Sequence, residues 1–503
     1  MSTLNETLIR EVVTEVLSRL GSGGRPGSGD GSGGGGAGAG TCRVDGGAGG
    51  GTGSAKGRRG SFGVFQDADE ACAAAHEAYL QLSEKGVAGR NKVIGIVKDL
   101  CERNAVEWGR IELEETKIGR LDHKIEKLKA QRGIPGVEFL NPYGLSGDHG
   151  ITLEEYAPFG VVGAVTPSTH SIPTMACNII SLAAAGNSAV FNAHPSAYRC
   201  AVTAAREFNR AIHRELGIEN LACIVEPPTL ESFAAIGRHE AVKLLCVTGG
   251  PGVVKAAMAS GKRAICAGPG NPPVLVDGTS CLDNAARCVV AGAAYDNNLL
   301  CIGEKEVFVL DAVADRLLSA LERHGAHRLN GEQVERLTRA AFVFSAGQGA
   351  GCPHPVVNRD LVGRDPAVLA QAAGASVPAG TQLLFAETAA DHPFVDEEQM
   401  MPFLPVVRVR SVEEGVALSK RAEKGYKHSA MIHSHDVAHM TAMARALETT
   451  LFVKNGSCLA GLGSGGEGYA NFSIATTTGE GICNPRTFTR VRRCVMVDKL
   501  RIF

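Results

Sequence analysis

FGVVGAVTPSTHSIPTMACNIISLAAAGNSAVFNAHPS, residues Phe159–Ser196, decides the fold. Phe159 to Ser168 reads as a short apolar strand closed by a Thr-Pro turn, Ile172 to Ala185 as a helix, and SAVFNAHPS as the next strand. The alternation continues outward. Ala197 to Leu216 is a helix, LACIVE a strand, Glu231 to Gly237 a helix, and VKLLCVTGG a strand leading into a helix over Pro251 to Ser260 and then RAICAGPGNPPVLVD. Repeated βαβ units of this kind build a parallel, doubly wound α/β sheet whose ligand crevice lies at the C-terminal ends of the strands.

Three strand ends therefore matter. Thr248-Gly249-Gly250-Pro251-Gly252 stands between strand and helix, where bare backbone N–H groups can receive a pyrophosphate. It lacks the full GxGxxG spacing, so a plain tight turn is the alternative. Asn192-Ala193-His194-Pro195 ends another strand and is placed to face an adenosine ribose, or is a simple strand terminus. Thr166-Pro167-Ser168-Thr169-His170 ends the first strand and offers hydroxyls and an imidazole.

A second stretch, YDNNLLCIGEKEVFVL at Tyr295–Leu310, sets one cysteine between a small-residue helix and an apolar strand. Ala285, Val289, Gly292 and Ala293 recur at helical spacing ahead of it, and Val307 to Leu310 form a buried-strand run behind it. Cys301 is the candidate nucleophile. A thiolate held in a rigid pocket lined by backbone N–H groups has both the reactivity and a place for an oxyanion. The competing reading is a core cysteine acting as a small hydrophobe.

With 503 residues the chain exceeds what one hydrophobic core supports. Lys plus Arg number 51 against 53 for Asp plus Glu, a formal charge of −2, so nothing points to nucleic acid or an anionic membrane. The 15 cysteines lack CxxC pairs, which argues against a disulfide framework or a metal site and for a reducing, cytoplasmic compartment. No apolar run approaches the roughly 20 residues of a membrane helix, and Glu6, Glu11 and Glu15 interrupt any signal peptide.

Residues 1–20 place Leu8, Ile9, Val12, Val13, Val16, Leu17 and Leu20 on one helical face. Residues 21–60, dominated by Gly, Ser and Ala, are expected to be a disordered tether, with GTGSAKG at Gly51–Gly57 part of it. The helix is then a docking tag for a partner's groove, unless it folds back on its own body. From Phe65 to Gln131 helices are expected, with Trp108 in the core and Glu112, Glu114, Glu115 and Lys117 on a solvated face. Cys352-Pro353-His354 reads as a structural loop, His428, His433, His435 and His439 as surface residues, and Gly461–Gly468 as a flexible loop or the lining of a substrate tunnel.

In order, TPSTHSIPT, AAGNSAVFNAHPSA, VTGGPGVV, AGPGNPPVLVD, NNLLCIGEKEV and EEQMMPFLPVVRV resemble the aldehyde dehydrogenase superfamily, and more narrowly its coenzyme-A-acylating branch, from about Phe65 to the C-terminus. The N-terminal tag is similar to the encapsulation peptides of bacterial microcompartment enzymes, those of propanediol utilisation above all. The resemblance implies an aldehyde dehydrogenase-like α/β fold: a Rossmann-type cofactor domain over 61–284, interrupted by oligomerisation strands at 137–153, a catalytic domain over 285–455, a return to the cofactor domain over 456–484, and an oligomerisation strand at 485–503. It implies an NAD-dependent enzyme in a microcompartment lumen, a homodimer or homotetramer bound to shell protein through residues 1–20. Its reaction would oxidise a short-chain aldehyde, propionaldehyde or acetaldehyde, to an acyl-coenzyme A through a thioester on Cys301.

Carried over residue by residue, the catalytic group is Cys301 with Asn298 and, as second oxyanion donor, Thr169 or His170, since the family commonly has Asn at that turn. Such a single donor is worth roughly 10²–10³ in rate. Cofactor contacts fall to Thr166, Pro167, Ser168, Asn192, His194, Pro195, Thr248, Gly249, Gly250, Ala267, Gly268 and Glu398, the last at the nicotinamide ribose or else a solvated loop acid; no metal is expected. Hydrolytic relatives place a water-activating glutamate at the position of Cys266, or Ala267 if the register slips by one, and neither is a carboxylate. An acyl group that water does not attack survives for a second thiol. A hydrolytic enzyme making free acid and a non-catalytic recruiting scaffold are the alternatives.

Overall fold

A computed structural model of the chain describes residues 61–344 and 355–499. The helix expected at 1–20, the tether over 21–60 with its GTGSAKG segment, the Cys352–His354 loop and the chain beyond Lys499 lie outside the described residues.

Six parallel strands form the first sheet, ordered edge to edge Val64–Phe65, Ala222–Val225, Ser188–Ala193, Val161–Thr166, Val242–Thr248 and Arg263–Ala267. After the edge strand Val64–Phe65, the chain enters the sheet near the middle at Val161–Thr166, steps through Ser188–Ala193 to Ala222–Val225, and returns past Val161–Thr166 to Val242–Thr248 and Arg263–Ala267. The switch point lies between Thr166 and Thr248, where a doubly wound sheet opens its crevice. Alternate strand residues feed two cores: Val162, Ala164, Phe191 and Leu244 on one face, Val161, Val165, Val190 and Leu245 on the other. Helices cover both faces, so the strands are apolar throughout and not alternating. Every residue of the helix Ser171–Ala185 is buried, and Trp108 packs edge-on against Phe208 in the first core.

A second sheet has seven parallel strands in the order Ala326–Arg328, Leu383–Glu387, Phe403–Val409, Glu306–Leu310, Pro273–Val276, Ser429–His433 and Leu451–Lys454. It begins earlier than the expected boundary at 284/285, because Pro273–Val276 already pairs with Glu306–Leu310 and that boundary falls inside the helix Leu282–Ala293. Residues 456–484 straddle the cores: Cys458 and Ile474 pack in the second, Ala475 and Cys483 in the first. A three-stranded antiparallel sheet, Tyr143–Gly147, Gly150–Pro158 and Thr489–Val497, carries exposed Tyr143, Leu145, Val491, Val495 and Val497. It extends past the expected 137–153, of which Val137–Phe139 is a short 3-10 turn.

The helices Ala105–Thr116 and Leu121–Lys129 depart from the expected solvated surface. Glu112 is buried, receives the Lys124 ammonium at 3.0 Å and accepts the Ile172 N–H at 3.1 Å, at the first turn of the helix Ser171–Ala185. A carboxylate there answers unpaired helix N–H groups. Glu115 likewise accepts the Arg199 and Cys200 N–H groups, while Glu114 and Lys117 are exposed. His428 and His433 are also buried, not on the surface, whereas His435 is exposed. Both buried histidines belong to the apolar stretch around Ser429–His433, a strand of the second sheet paired on both sides.

Replacing Lys124 by Met leaves the Glu112 charge buried and unpaired, an expected loss of about 3–5 kcal/mol in chemical denaturation. Glu114→Gln, on the exposed face, is expected to stay within about 0.5 kcal/mol.

Candidate active site

Cys301 stands in the turn that enters the strand Glu306–Leu310, and three residues ahead of that turn are conformationally costly. Asp296, Asn297 and Asn298 take three consecutive left-handed conformations, φ 49°, 55° and 66°, while fully buried. Asp and Asn tolerate this region better than other side chains, but each such residue still costs of order 1 kcal/mol. Every one is tied down. Asp296 accepts the Arg120 N–H at 2.7 Å, its N–H reaches His123 Nδ1 at 2.8 Å, and its carboxylate pairs with the buried Lys127. Burial pushes the Asp296 carboxyl up, yet the Lys127 and Lys124 ammoniums override it and hold the group below the ordinary carboxylate range. Asn297 Nδ2 donates to Gly363 O and Asp365 Oδ1 at 3.0 and 2.8 Å.

Asn298 spends its amide on the same turn: Nδ2 donates to Ala293 O and Glu304 O, both at 2.9 Å. Its carbonyl and Oδ1 accept from Lys305 Nζ at 2.8 and 2.5 Å, and Lys305 also donates to Leu300 O at 3.2 Å. Asn298 is thus a buttress of the cysteine turn, with both side-chain amide hydrogens engaged there and neither turned to an oxyanion. Lys305, buried and unremarked in the sequence, clamps the two residues that bracket Leu299, immediately before Cys301.

Cys301 itself is half-buried. Burial, followed by the negative charge of Glu398, pushes its thiol up to about 12, while Lys305 pulls the other way. Glu398, in a partly buried loop, is raised to about 7 by burial, accepts the Gly270 N–H, and lies near enough for its charge to act on the thiol. Gly270 is required to be glycine: a Cβ there would lie 2.5 Å from the Cys301 carbonyl oxygen and 2.8 Å from Cγ of His428. His428, whose Nε2 is buried without a partner and whose Nδ1 meets Ser429 Oγ, is lowered to about 4 by burial and by Lys305 and is neutral. Hydrophobic periodicity hid it, because a single histidine beside an apolar strand carries no spacing signal.

The expected cofactor residues gather at one edge of the first sheet, where four neighbouring parallel strands end. Gly249 and Gly250 precede the helix Pro251–Met258, whose N-cap has no side-chain partner. A Cβ on Gly250 would meet nothing within 4 Å, so its backbone faces open space. Ala267 and Gly268 follow, with Gly268 so close to Thr477 that a Cβ would stand 2.7 Å from Thr477 Oγ1. Pro167 and Ser168 are partly open, as is Thr169, whose carbonyl faces Lys124 at 3.4 Å, whereas Thr166 is buried with its hydroxyl on Ser171 Oγ. Asn192 donates to Thr229 O and accepts from Ser232, at 3.2 and 2.6 Å. His194 and Pro195 are exposed beside it, and the His194 N–H joins Thr166 O at 3.0 Å. A dinucleotide fits this edge through its open backbone and Ser168; Thr166 and Asn192 shape the edge from within. His170 caps the helix Ser171–Ala185, its buried Nδ1 without a partner and its ring beside Phe472. Cys266 is buried, its thiol raised to about 11, and its N–H donates to Thr478 Oγ1.

Residues 63–468 match the model of the aldehyde dehydrogenase family. The chain belongs to that family. Its relatives include the acetaldehyde dehydrogenase (acetylating) EutE of Salmonella typhimurium, 47% identical over 442 residues that span 88% of this chain and 93% of the relative. Among solved structures, the propionaldehyde dehydrogenase of Rhodopseudomonas palustris with bound CoA and an acylated cysteine is 40% identical, with a TM-score of 0.84 over 88% of this chain and all of that one. A propionaldehyde dehydrogenase from the fucose utilisation microcompartment of Clostridium phytofermentans matches with the same identity, TM-score and coverage. In this aldehyde dehydrogenase chain the Cys301 turn and the open strand ends of the first sheet belong to separate sheets, joined through the loop Gly268–Pro272 and the segment that follows Leu451–Lys454.

Because the Glu398 charge raises the Cys301 thiol, Glu398→Gln should lower that pKa and speed iodoacetamide alkylation of Cys301. The gain is expected above about pH 7, where Glu398 is ionised, and to vanish below it. An unchanged profile, followed by mass spectrometry, contradicts this electrostatic coupling.

Proposed function

We propose that the protein is a CoA-acylating aldehyde dehydrogenase that converts a short-chain aldehyde, propionaldehyde or acetaldehyde, to its acyl-CoA with NAD. One observation carries the reading: a half-open cysteine is clamped at a rigid turn, while the positions that hold the water-activating carboxylate in hydrolytic relatives are a buried thiol and a methyl, Cys266 and Ala267. The acyl-cysteine and CoA of the Rhodopseudomonas structure support the same chemistry.

Cys301 Sγ adds to the aldehyde carbonyl, and the developing oxyanion is held by the Cys301 N–H together with a group from the Thr169–His170 turn. Pro167, Ser168, Gly249, Gly250 and Gly268 would hold NAD, with Glu398 at its ribose, and the bound nicotinamide would supply the hydride acceptor. The acyl group then rests on Cys301 as a thioester. Neither position 266 nor position 267 carries the carboxylate that activates water in hydrolytic relatives, so the CoA thiol takes the acyl group without loss of its transfer potential.

Two further readings rest on sequence and surface. Exposed Val491, Val495, Val497, Tyr143 and Leu145 on the three-stranded sheet support a homodimer or homotetramer assembled through that sheet. The apolar stripe of residues 1–20 supports docking to a microcompartment shell protein, and thus a place in the compartment lumen.

Steady-state assays with aldehyde and NAD should give sustained NADH formation with CoA and little without it, with acyl-CoA as product. Cys301→Ala is expected to lose at least about 10³-fold in turnover. Sustained NADH and free acid in the absence of CoA would overturn the acylating reading. Deleting residues 1–20 should leave that activity intact and abolish co-sedimentation with shell protein; unchanged sedimentation refutes the docking role.

A further inference from the structure

The helix Leu121–Lys129 turns two lysines, Lys124 and Lys127, inward on one face, and each reaches a different part of the candidate site. Lys124 holds Glu112 and faces Thr169 O, in the strand end that carries His170. Lys127 holds Asp296, the first of the three left-handed residues before Cys301. The same segment fixes Asp296 twice more, through the Arg120 N–H and through His123, whose ring stacks on Tyr295 at 4.2 Å and whose Nδ1 accepts the Asp296 N–H. Helix and turn are far apart in sequence and belong to different cores, so no local propensity brings them together. A salt bridge of this depth adds little net stability, because both ions lose their hydration.

We propose that Lys127 is a positioning residue: by pinning Asp296 it sets Cys301 against the Thr169–His170 strand end, which Lys124 holds from the same helix. The reading rests on Cys301 as nucleophile. Thiol and oxyanion donor come from two sheets, and a displacement of about 1 Å between them costs on the order of 10² in rate. The Lys127 side chain is buried on Asp296 and closed to solvent, so its loss should fall on the acylation step and spare ligand affinity.

The test measures the NADH burst with aldehyde and NAD, the KM for CoA, and the thermal midpoint in Lys127→Met and in the double variant Lys127→Met/Asp296→Asn. The double variant leaves no buried charge unpaired and keeps a residue that tolerates the left-handed turn. The expected result is a folded double variant whose burst is roughly 10²-fold slower, with KM for CoA within about three-fold of the unmodified enzyme. A wild-type burst in either folded variant overturns the proposal. So does a double variant that fails to fold, since the pair would then serve stability. Cys301→Ala, run alongside, separates the two readings: a burst that survives there removes the nucleophile assignment, whatever Lys127 does.

Discussion

Three consecutive left-handed residues, Asp296 to Asn298, are the constraint on which the candidate site depends. Backbone in that region is unfavourable for any L-residue with a side chain, and here it is buried, where solvent cannot relieve it. The conformation persists because partners surround it: Lys127, Arg120 and His123 from the segment of the helix Leu121–Lys129, Gly363 and Asp365 from the turn ahead of the helix Pro366–Ala373, Lys305 from just before the strand that follows. Cys301 inherits a fixed place from that enclosure. A thiol on a flexible loop would have to be ordered anew in each turnover, and that ordering would come out of the rate.

The electrostatics fit a nucleophile that rests as a thiol in the free protein. Burial and the neighbouring Glu398 hold it high, and Lys305 opposes them. Glu398, placed near 7, and neutral His428 stand with Gly270 around the same sulfur-bearing turn, so the charge beside Cys301 changes within the physiological range. Glu304 is also raised to about 7 by burial, with one oxygen on the Cys458 N–H. It lies in the same turn and stiffens its far side.

The parallel sheet could be read from sequence because Phe159–Ser196 combines apolar strands, a helix and turn residues with one consistent period. The strand ends followed from that, and so did the gathering of Ser168, Gly249 and Gly268 on one edge. The clamp could not be read in the same way. Lys124, Lys127, Lys305 and Glu112 carry charge, and a reading based on hydrophobic periodicity assigns charge to solvent, whereas all four are buried: Lys124 on Glu112 and Lys127 on Asp296 in pairs that the tertiary fold brings together, Lys305 on the carbonyls of its own turn. One signal was available. Glu304-Lys305-Glu306 runs directly into the apolar VFVL, and three charges joined to a central strand have no solvent to face. The domain boundary at 284/285 missed for a related reason: Pro272 and Pro273 mask a strand that pairs centrally with Glu306–Leu310.

The central claim is a covalent acyl group on one sulfur, stable to water and labile to a second thiol. Peptide mass mapping of the protein after exposure to propionaldehyde and NAD, before and after a chase, tests it most directly. The account predicts a near-stoichiometric propionyl adduct on the peptide containing Cys301 that endures in buffer and is discharged by CoA. An adduct absent from that peptide, or lost to buffer as fast as to CoA, would contradict it.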